Sequence, residues 1–262
     1  HLYPSLTSYV GNPLVSLSIT FLIILGGLSF MTYEDFHIHH FHFKKYRLQT
    51  KVILVTTFFL LFIPTLYFFL SQFQNLPIKE RLLASIFQAV TPRTAGFNTV
   101  DFTTLSENSL LIISILMVIG GAPGSTAGGM KVTTFAIMLI SSLAIFRQKD
   151  RCEAFGRTIP NTIVKNAATI FMLYISACII SALIIAQLEN IPIIQTIFET
   201  ASAIGTVGLT VGITPTLGIA SRCILIFLMF MGRIGGVTLM ISVFPNVNKN
   251  RGKLVEEHIV VG

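Results

Sequence analysis

Two copies of a Thr-x-Gly tetrapeptide lie 112 residues apart in this sequence, and they limit the folds that the chain can adopt. The copies are Thr94-Ala95-Gly96-Phe97 and Thr206-Val207-Gly208-Leu209. Each follows an apolar segment that is too short to cross a bilayer and precedes a long one that can cross it, since a spanning helix needs about 20 apolar residues. The same offset aligns Gly120-Gly121 with Gly232-Arg233. A fixed offset predicts a repeated unit of helix, half-helix, loop and helix.

Composition places the chain in a membrane. It is 53% hydrophobic and 11% charged, with a mean hydropathy of +0.78, whereas soluble domains carry about 25% charged residues. We therefore expect an all-α integral membrane protein with repeated modules of helix, re-entrant pore half-helix, filter loop and helix. The expected spans are 12–33, 51–70, 166–188 and 219–244, and the expected half-helices are 80–90 and 193–204.

The apolar stretch 109–146 is too long for one pass and is interrupted by a glycine-rich run. Irregular backbone at membrane depth is tolerated only where it is buried in protein or lines water. We therefore predict two half-helices joined by an intramembrane loop. The candidate gate residues in this loop are Gly120, Gly121, Gly124, Ser125, Thr126, Gly128 and Gly129.

The basic residues predict the orientation of the chain. Lys and Arg are concentrated in the loops 37–51 and 147–165 and in the tail 246–262, and such an excess marks the cytoplasmic side. Both Thr-x-Gly loops then enter from the outer face. The net charge of +7 is explained by topology and needs no nucleic-acid partner. Four histidines at 37–42 allow a metal site, but a juxtamembrane loop is favoured because no cysteine or carboxylate is suitably spaced.

The Thr-x-Gly loops have the chemistry of an ion filter. A dehydrated monovalent cation needs oxygen ligands, which stacked backbone carbonyls supply and which glycine helps to orient. Thr206-Val207-Gly208 reproduces the start of the T-V-G-Y-G potassium filter, although Leu209 replaces the tyrosine. The half-helices point their C-terminal ends, which carry partial negative charge, at the loops. The alternative is a pair of tight turns between helices.

Four ionisable residues are predicted at membrane depth, where such groups suggest function. We expect Arg93 to brace the first loop from behind and Lys131 to extend toward the surface. Glu199 could pair with a basic group or with loop amides. Arg233 falls at the level of the glycine-rich loop, as an electrostatic barrier, a latch for the loop or one half of a structural ion pair.

Four motifs together resemble the Trk/Ktr/HKT superfamily of potassium transporters, and among them the KtrB-type translocating subunits of the TrkH family. The motifs are 90–98, 120–129, 205–209 and 232–236. The resemblance implies four pore repeats around one path, with K⁺ as substrate, a dependence on Na⁺ left open and no other cofactor. It also implies a multi-pass plasma-membrane protein that contacts lipid, forms a homodimer and binds a cytosolic nucleotide-binding regulatory ring of the KtrA or TrkA type.

Carried onto this sequence, the resemblance makes Thr94 to Phe97 and Thr206 to Leu209 filter residues, Gly120 to Gly129 the gate and Arg233 the basic residue beside it. Only two complete repeats are present. We expect 1–50 to hold an inner helix that ends an incomplete second repeat, followed by a basic loop. Residues 51–165 form the third repeat, 166–245 the fourth and 246–262 a cytoplasmic tail. Either further repeats precede His1 or two chains combine, and His1 in place of Met favours the first.

Three rival functions follow from the same residues. A sodium-permeable relative would share every motif, and a truncated, non-conducting fragment would share the fold. An intramembrane enzyme would need converging acid, base or metal-binding groups. The predicted spans carry no carboxylate pair and no histidine, so we expect no enzymatic activity.

Overall fold

A computed structural model describes residues 5–40, 42–149 and 151–235 of the chain. These residues form a mostly helical protein, as predicted. The helices are α1 (Pro13–Gly26), α2 (Phe30–His39), α3 (Leu48–Tyr67), α4 (Ile78–Val90), α5 (Glu107–Val118), α6 (Val132–Phe146), α7 (Asn161–Glu189), α8 (Ile193–Ile204) and α9 (Ile219–Ile234). A short hairpin of β1 (Glu153–Ala154) and β2 (Arg157–Thr158) joins α6 to α7.

Two helical segments among the described residues are long and apolar enough to cross a membrane. One is α3 with the π-helical turn that continues it to Gln72, and the other is the 29-residue α7. The pair α1 and α2 forms a third candidate by length and composition if its 95° bend lies within one span. The predicted spans 51–70 and 166–188 are therefore confirmed as helices of sufficient length.

The predicted span 12–33 is not one continuous helix. Helix α1 ends at Gly26 and α2 begins after Ser29, with a 95° bend between them. The Ser29 hydroxyl accepts a hydrogen bond from the amide of Met31 and so caps the new helix. A glycine pair followed by a capping serine thus separates the two helices. His37 and His39 consequently lie in the last turn of α2 and not in a loop.

The two predicted half-helices are present as α4 and α8, and α8 has the predicted bounds. Helix α8 packs against α5, α7 and α9 in the main hydrophobic core. Two glycines allow the close approach: a Cβ on Gly205 would overlap the carbonyl oxygen of Met117, and one on Gly232 would overlap that of Ile204. The second half-helix is therefore fixed at the centre of the described chain.

The two ends of α3 and of α7 lie on opposite faces of the protein. Gln72 after α3 accepts a hydrogen bond from Ser109 of α5 (2.7 Å), and Glu189 of α7 accepts one from Gly218 before α9 (2.9 Å). At the other ends of α3 and α7, the rings of Phe43 and Phe155 are 6.1 Å apart. The two basic loops 37–51 and 147–165 therefore lie on the same face, as expected.

The hairpin inside the second basic loop is not predicted from the sequence. Its two-residue turn consists of Phe155 and Gly156, both with positive φ (50° and 74°), which is the geometry that closes tight hairpins. The predicted end of the last span, 236–244, and the predicted tail, 246–262, lie outside the described residues.

Candidate functional site

The two Thr-x-Gly loops, 94–97 and 206–209, meet in space. A Cβ on Gly96 of the first loop would overlap the carbonyl oxygen of Val207 in the second and would lie 3.7 Å from the Cα of Gly208. Backbone contact of this kind is possible only because Gly96 has no side chain. The structure thus brings together two motifs that the sequence separates by more than a hundred residues.

The two loops share an unusual backbone. The φ angles are 62° at Thr94 and 51° at Thr206, and they are 74° at Gly96 and 88° at Gly208. The residues between them, Ala95 and Val207, do not have positive φ. Positive φ is uncommon for a threonine, so its occurrence at equivalent positions of both loops supports a true structural repeat. Alternating backbone handedness also allows successive carbonyls to face one side of a loop.

Each loop is attached to the C-terminal end of its half-helix. In the first copy the amide of Thr91 donates to the carbonyl of Phe87, and the Thr91 hydroxyl donates to the carbonyl of Phe97. In the second copy the amide of Val207 donates to the carbonyl of Ser202 at 2.9 Å. The partial negative charge of both helix ends therefore lies beside the loops, as predicted.

The side chains of the fourth residues differ between the copies. Leu209 is 3% exposed and belongs to the core, whereas Phe97 is 46% exposed. A cavity of about 1280 Å³ opens beside Thr206–Leu209, and its wall includes Glu199 and Arg233. A second cavity, of about 450 Å³, is lined by Thr94, Ala95 and Phe97 together with Thr126 of the glycine-rich loop. Each loop thus borders a cavity of the described chain.

Glu199 of α8 holds the segment that follows the second loop. Its carboxylate accepts hydrogen bonds from the amide of Val211 (3.2 Å) and from the hydroxyls of Thr210 and Thr214 (2.9 Å to Thr214). The side chain is only 4% exposed. Of the two partners expected for Glu199, the structure selects the loop amide and adds two threonines that the sequence did not indicate.

Arg93 lies beside the first loop and is 5% exposed. Its Nη2 is 3.4 Å from the hydroxyl of Thr57 on α3, and it makes no ion pair among the described residues. The guanidinium therefore contacts the supporting helix α3. This placement agrees with the predicted role of a brace behind the loop.

The glycine-rich segment 119–131 is an ordered loop between α5 and α6, so the predicted helix break is confirmed. Its two ends are held together by hydrogen bonds from Gly120 to Met130 (2.8 Å), from Met130 to Val118 (3.1 Å) and from Val132 to Gly121 (3.0 Å). The loop therefore satisfies much of its backbone internally, as irregular backbone at membrane depth requires.

Three other elements hold this loop from outside. At the bend after α1, the carbonyl of Gly27 accepts from Ala122 (2.9 Å) and that of Gly26 accepts from the Thr126 hydroxyl (3.2 Å). On α9, the carbonyl of Gly232 accepts from Gly129 (3.1 Å). A Cβ on Gly128 would overlap the hydroxyl of Thr206 in the second Thr-x-Gly loop. The glycine-rich loop is thus packed directly against the second Thr-x-Gly loop.

Two cations act on carbonyls of the same loop. Arg233 Nη1 donates to the carbonyl of Thr126 (3.0 Å), and Lys131 Nζ donates to that of Ala127 (2.6 Å). Arg233 therefore has the geometry of the predicted latch, whereas Lys131 holds the loop and does not extend to the surface. The sequence analysis did not predict that the carbonyls of Gly26 and Gly27 hold this loop. The one available signal was a pair of glycines within an apolar segment.

Half-helices, Thr-x-Gly loops and an intramembrane loop together define a helical membrane protein of the ion-transport class. Comparison with known families identifies the family within this class: residues 2–251 match the TrkH family of cation transport proteins. The chain belongs to this family, which is a family of transporters and not of enzymes.

Its relatives include the Ktr system potassium uptake protein B of Bacillus subtilis, which is 42% identical over 91% of this chain and 55% of its own length. The potassium/sodium uptake protein NtpJ of Enterococcus hirae is 38% identical over 96% of this chain and 58% of its own length. The chain therefore spans little more than half the length of these relatives.

A solved structure has the same fold. It is the crystal structure of the potassium transporter TrkH from Vibrio parahaemolyticus, which superposes with a TM-score of 0.72 at 19% sequence identity. The match covers 88% of this chain and 52% of the TrkH chain.

Proposed function

We propose that this chain is part of the membrane-embedded, ion-translocating subunit of a potassium uptake system. K⁺ passes along the carbonyls of Thr94 to Phe97 and of Thr206 to Leu209, which replace its hydration shell. The observation that carries the proposal is the contact of Gly96 with the carbonyl of Val207, between two loops of matching backbone handedness. Turns that merely joined helices would need neither this contact nor this match.

The names of the relatives support potassium as the ion. Two of them, from Bacillus subtilis and Vibrio alginolyticus, are potassium uptake proteins of Ktr systems, and NtpJ is a potassium/sodium uptake protein. Transport through such a filter is passive. A membrane potential of 100 mV contributes about 2.3 kcal/mol for each K⁺ that crosses.

The loop Gly120 to Gly129 acts as the gate of this pathway, and Arg233 holds it closed. The loop lies against Thr206, and the Arg233 guanidinium bonds to it through Thr126. A loop in this position obstructs the ion, and a guanidinium below the filter repels it. Breaking one charged hydrogen bond would then favour the open state, because the glycines give the loop other backbone conformations.

The domain arrangement, partners and orientation complete the proposal. Residues 51–165 and 166–245 are the third and fourth of four pore repeats, and 1–50 ends the second. The Lys/Arg excess supports a cytoplasmic location for the basic face and the tail 246–262. A nucleotide-binding regulatory ring binds on this side. The subunit forms a homodimer in the plasma membrane. The Ktr names of relatives describe multi-component systems, which supports a partner.

The test is tracer uptake by the full-length protein reconstituted in liposomes that are loaded with K⁺. We expect radioactive rubidium to accumulate, and external K⁺ to compete with it much more strongly than Na⁺. Protein-free liposomes give the background. Uptake at background level by monodisperse protein, with its cytosolic partner present, would refute a translocating role. Equal competition by K⁺ and Na⁺ would instead favour a sodium-permeable protein.

A further inference from the structure

A groove on the basic face of the protein is lined by residues other than those of the proposed ion pathway. It runs between the first half of α3 and the second half of α6 and is closed at one end by the β1–β2 hairpin. Its volume is about 370 Å³, which falls in the range of about 300–1,000 Å³ for ligand pockets. The described residues of the filter and gate loops do not line it.

The walls of the groove are apolar and continue onto the outer surface of α6. Val55 of α3, Leu139 and Leu143 of α6 and Phe155 of the hairpin line it. Leu139 and Leu143 are about half exposed (48% and 54%), and the neighbouring Phe146 is 85% exposed. Exposed apolar side chains on a helix of a membrane protein are suited to contact with acyl chains, and the groove opens onto this surface.

The polar end of the groove is positively charged. Arg147 and Lys149 belong to its lining, and Glu153 is the acid among its lining residues. Glu153 is 3.5 Å from Lys149, whereas Arg147 makes no ion pair with any described residue. Lys51 adds a further cation nearby, because it lies 6.0 Å from the ring of Phe43, which in turn contacts Phe155.

We propose that this groove binds an anionic phospholipid. The acyl chain lies along Val55, Leu139 and Leu143, and the phosphate of the headgroup lies against Arg147 and Lys149. Basic pockets between membrane helices recognise anionic headgroups in this way. An apolar wall that opens to the bilayer favours a lipid over a soluble protein, whose docking would require this wall to be shielded from lipid.

The test measures the apparent dissociation constant of dioleoylphosphatidylglycerol for the protein purified in a neutral detergent, by native mass spectrometry. Phosphatidylcholine, which is zwitterionic, is measured beside it. We expect Arg147→Gln to weaken phosphatidylglycerol binding about fivefold, which corresponds to ~1 kcal/mol for one cation at a membrane surface. Binding of phosphatidylcholine, whose choline offsets the charge of its phosphate, should weaken much less.

Two further variants make the test specific. Glu153→Gln should tighten phosphatidylglycerol binding, because it frees Lys149 from its ion pair, and a general loss of stability would not do this. Val55→Phe should weaken binding without any change of charge. Lys165→Gln is the control, since Lys165 is an exposed cation of the same face outside the groove.

Three results would overturn the proposal. The first is wild-type affinity in Arg147→Gln. The second is an equal loss of affinity in Lys165→Gln, because binding would then follow the charge of the whole face. The third is full competition by soluble glycerol phosphate, which would assign the cations to a free anion and leave the apolar groove without a part in binding.

Discussion

Arg233 at the end of α9 donates a 3.0 Å hydrogen bond from Nη1 to the carbonyl of Thr126, at the exposed tip of the glycine-rich loop. Two residues 107 positions apart are therefore joined across the interface between the predicted third and fourth repeats. The neighbouring bond from Gly129 to the carbonyl of Gly232 strengthens the same connection. Helix α9 thus holds the loop at two points, of which one depends on a side chain.

We expect Arg233→Ala to raise ion flux through the full-length protein. A hydrogen bond to a charged group contributes about 1.5–3 kcal/mol, so its loss shifts the closed state toward the open state by roughly tenfold or more. Deletion of residues 124–127 should also raise ion flux, because it removes the carbonyl of Thr126 that accepts the hydrogen bond. The measurement is rubidium flux into proteoliposomes with and without the cytosolic partner.

The control for this prediction is Arg222→Ala. Arg222 lies near the other end of α9 and donates to the carbonyl of Pro215. Its replacement therefore removes an arginine from the same helix without removing a contact to the glycine-rich loop. If both Arg233→Ala and the deletion fold and conduct no more than the wild type, the loop is a structural break in the helix and not a gate.

We expect Glu199→Ala to reduce the preference for K⁺ over Na⁺ and to destabilise the protein. The substitution leaves the amide of Val211 without its acceptor and removes the carboxylate from Thr210 and Thr214, whose hydroxyls, 2.8 Å apart, keep each other as a hydrogen-bond partner. One buried donor left unsatisfied costs about 1–3 kcal/mol. Because this segment follows Leu209 directly, the second filter loop should become mobile. Thermal unfolding and competition between K⁺ and Na⁺ for rubidium uptake are the two measurements.

Glu189→Ala provides the comparison for Glu199. Glu189 also accepts from a loop amide, that of Gly218, and from a hydroxyl, that of Ser221 (2.5 Å), but it does so at the start of α9. Glu189→Ala should therefore lower the stability of the protein and leave its preference for K⁺ over Na⁺ unchanged. Equal loss of preference in both variants would show that Glu199 has no particular relation to the filter.

The topology prediction concerns the two faces of the protein. With Cys152, Cys178 and Cys223 replaced, a cysteine introduced at Thr158 in the hairpin should be protected from an impermeant thiol reagent in intact cells, and one at Asn75 should react. Both positions are exposed, so accessibility within the protein does not separate them. The reverse labelling pattern would place the basic face outside the cell.

The sequence predicted those elements that depend on length and local chemistry. The half-helix 193–204 was found because a short apolar run between Pro192 and Gly205 cannot cross a bilayer. The bend after Gly26 was missed because glycines also occur within continuous membrane helices, so Gly26-Gly27 alone did not exclude one straight span. The capping role of Ser29 became visible only with the backbone on either side of it.

The site was predicted less completely than the fold. Both Thr-x-Gly loops and Arg233 were identified from the repeat, but their mutual contacts depend on tertiary packing. The local sequence does not predict that Gly96 contacts Val207 or that Gly128 contacts Thr206. Likewise, Thr210 and Thr214 are ordinary loop residues in the sequence, and only the fold places them on the carboxylate of Glu199.

The central claim is that the backbone of the Thr-x-Gly loops forms the ion filter, and Gly208→Ser tests it most directly. Gly208 has φ +88°, and no described atom lies within 4 Å of a Cβ built there, whereas a Cβ on Gly96 would overlap Val207. A side chain at Gly208 therefore strains the loop backbone without overlapping any described atom of this chain. Gly156→Ser is the matched control, because Gly156 in the hairpin also has positive φ (74°) and an open Cβ position.

The measurement is the permeability ratio of K⁺ to Na⁺ for the full-length protein in proteoliposomes. We predict a fall of about tenfold or more in Gly208→Ser, equivalent to ~1.4 kcal/mol between the two ions, and the wild-type ratio in Gly156→Ser. An unchanged ratio and unchanged flux in well-folded Gly208→Ser would contradict the filter assignment.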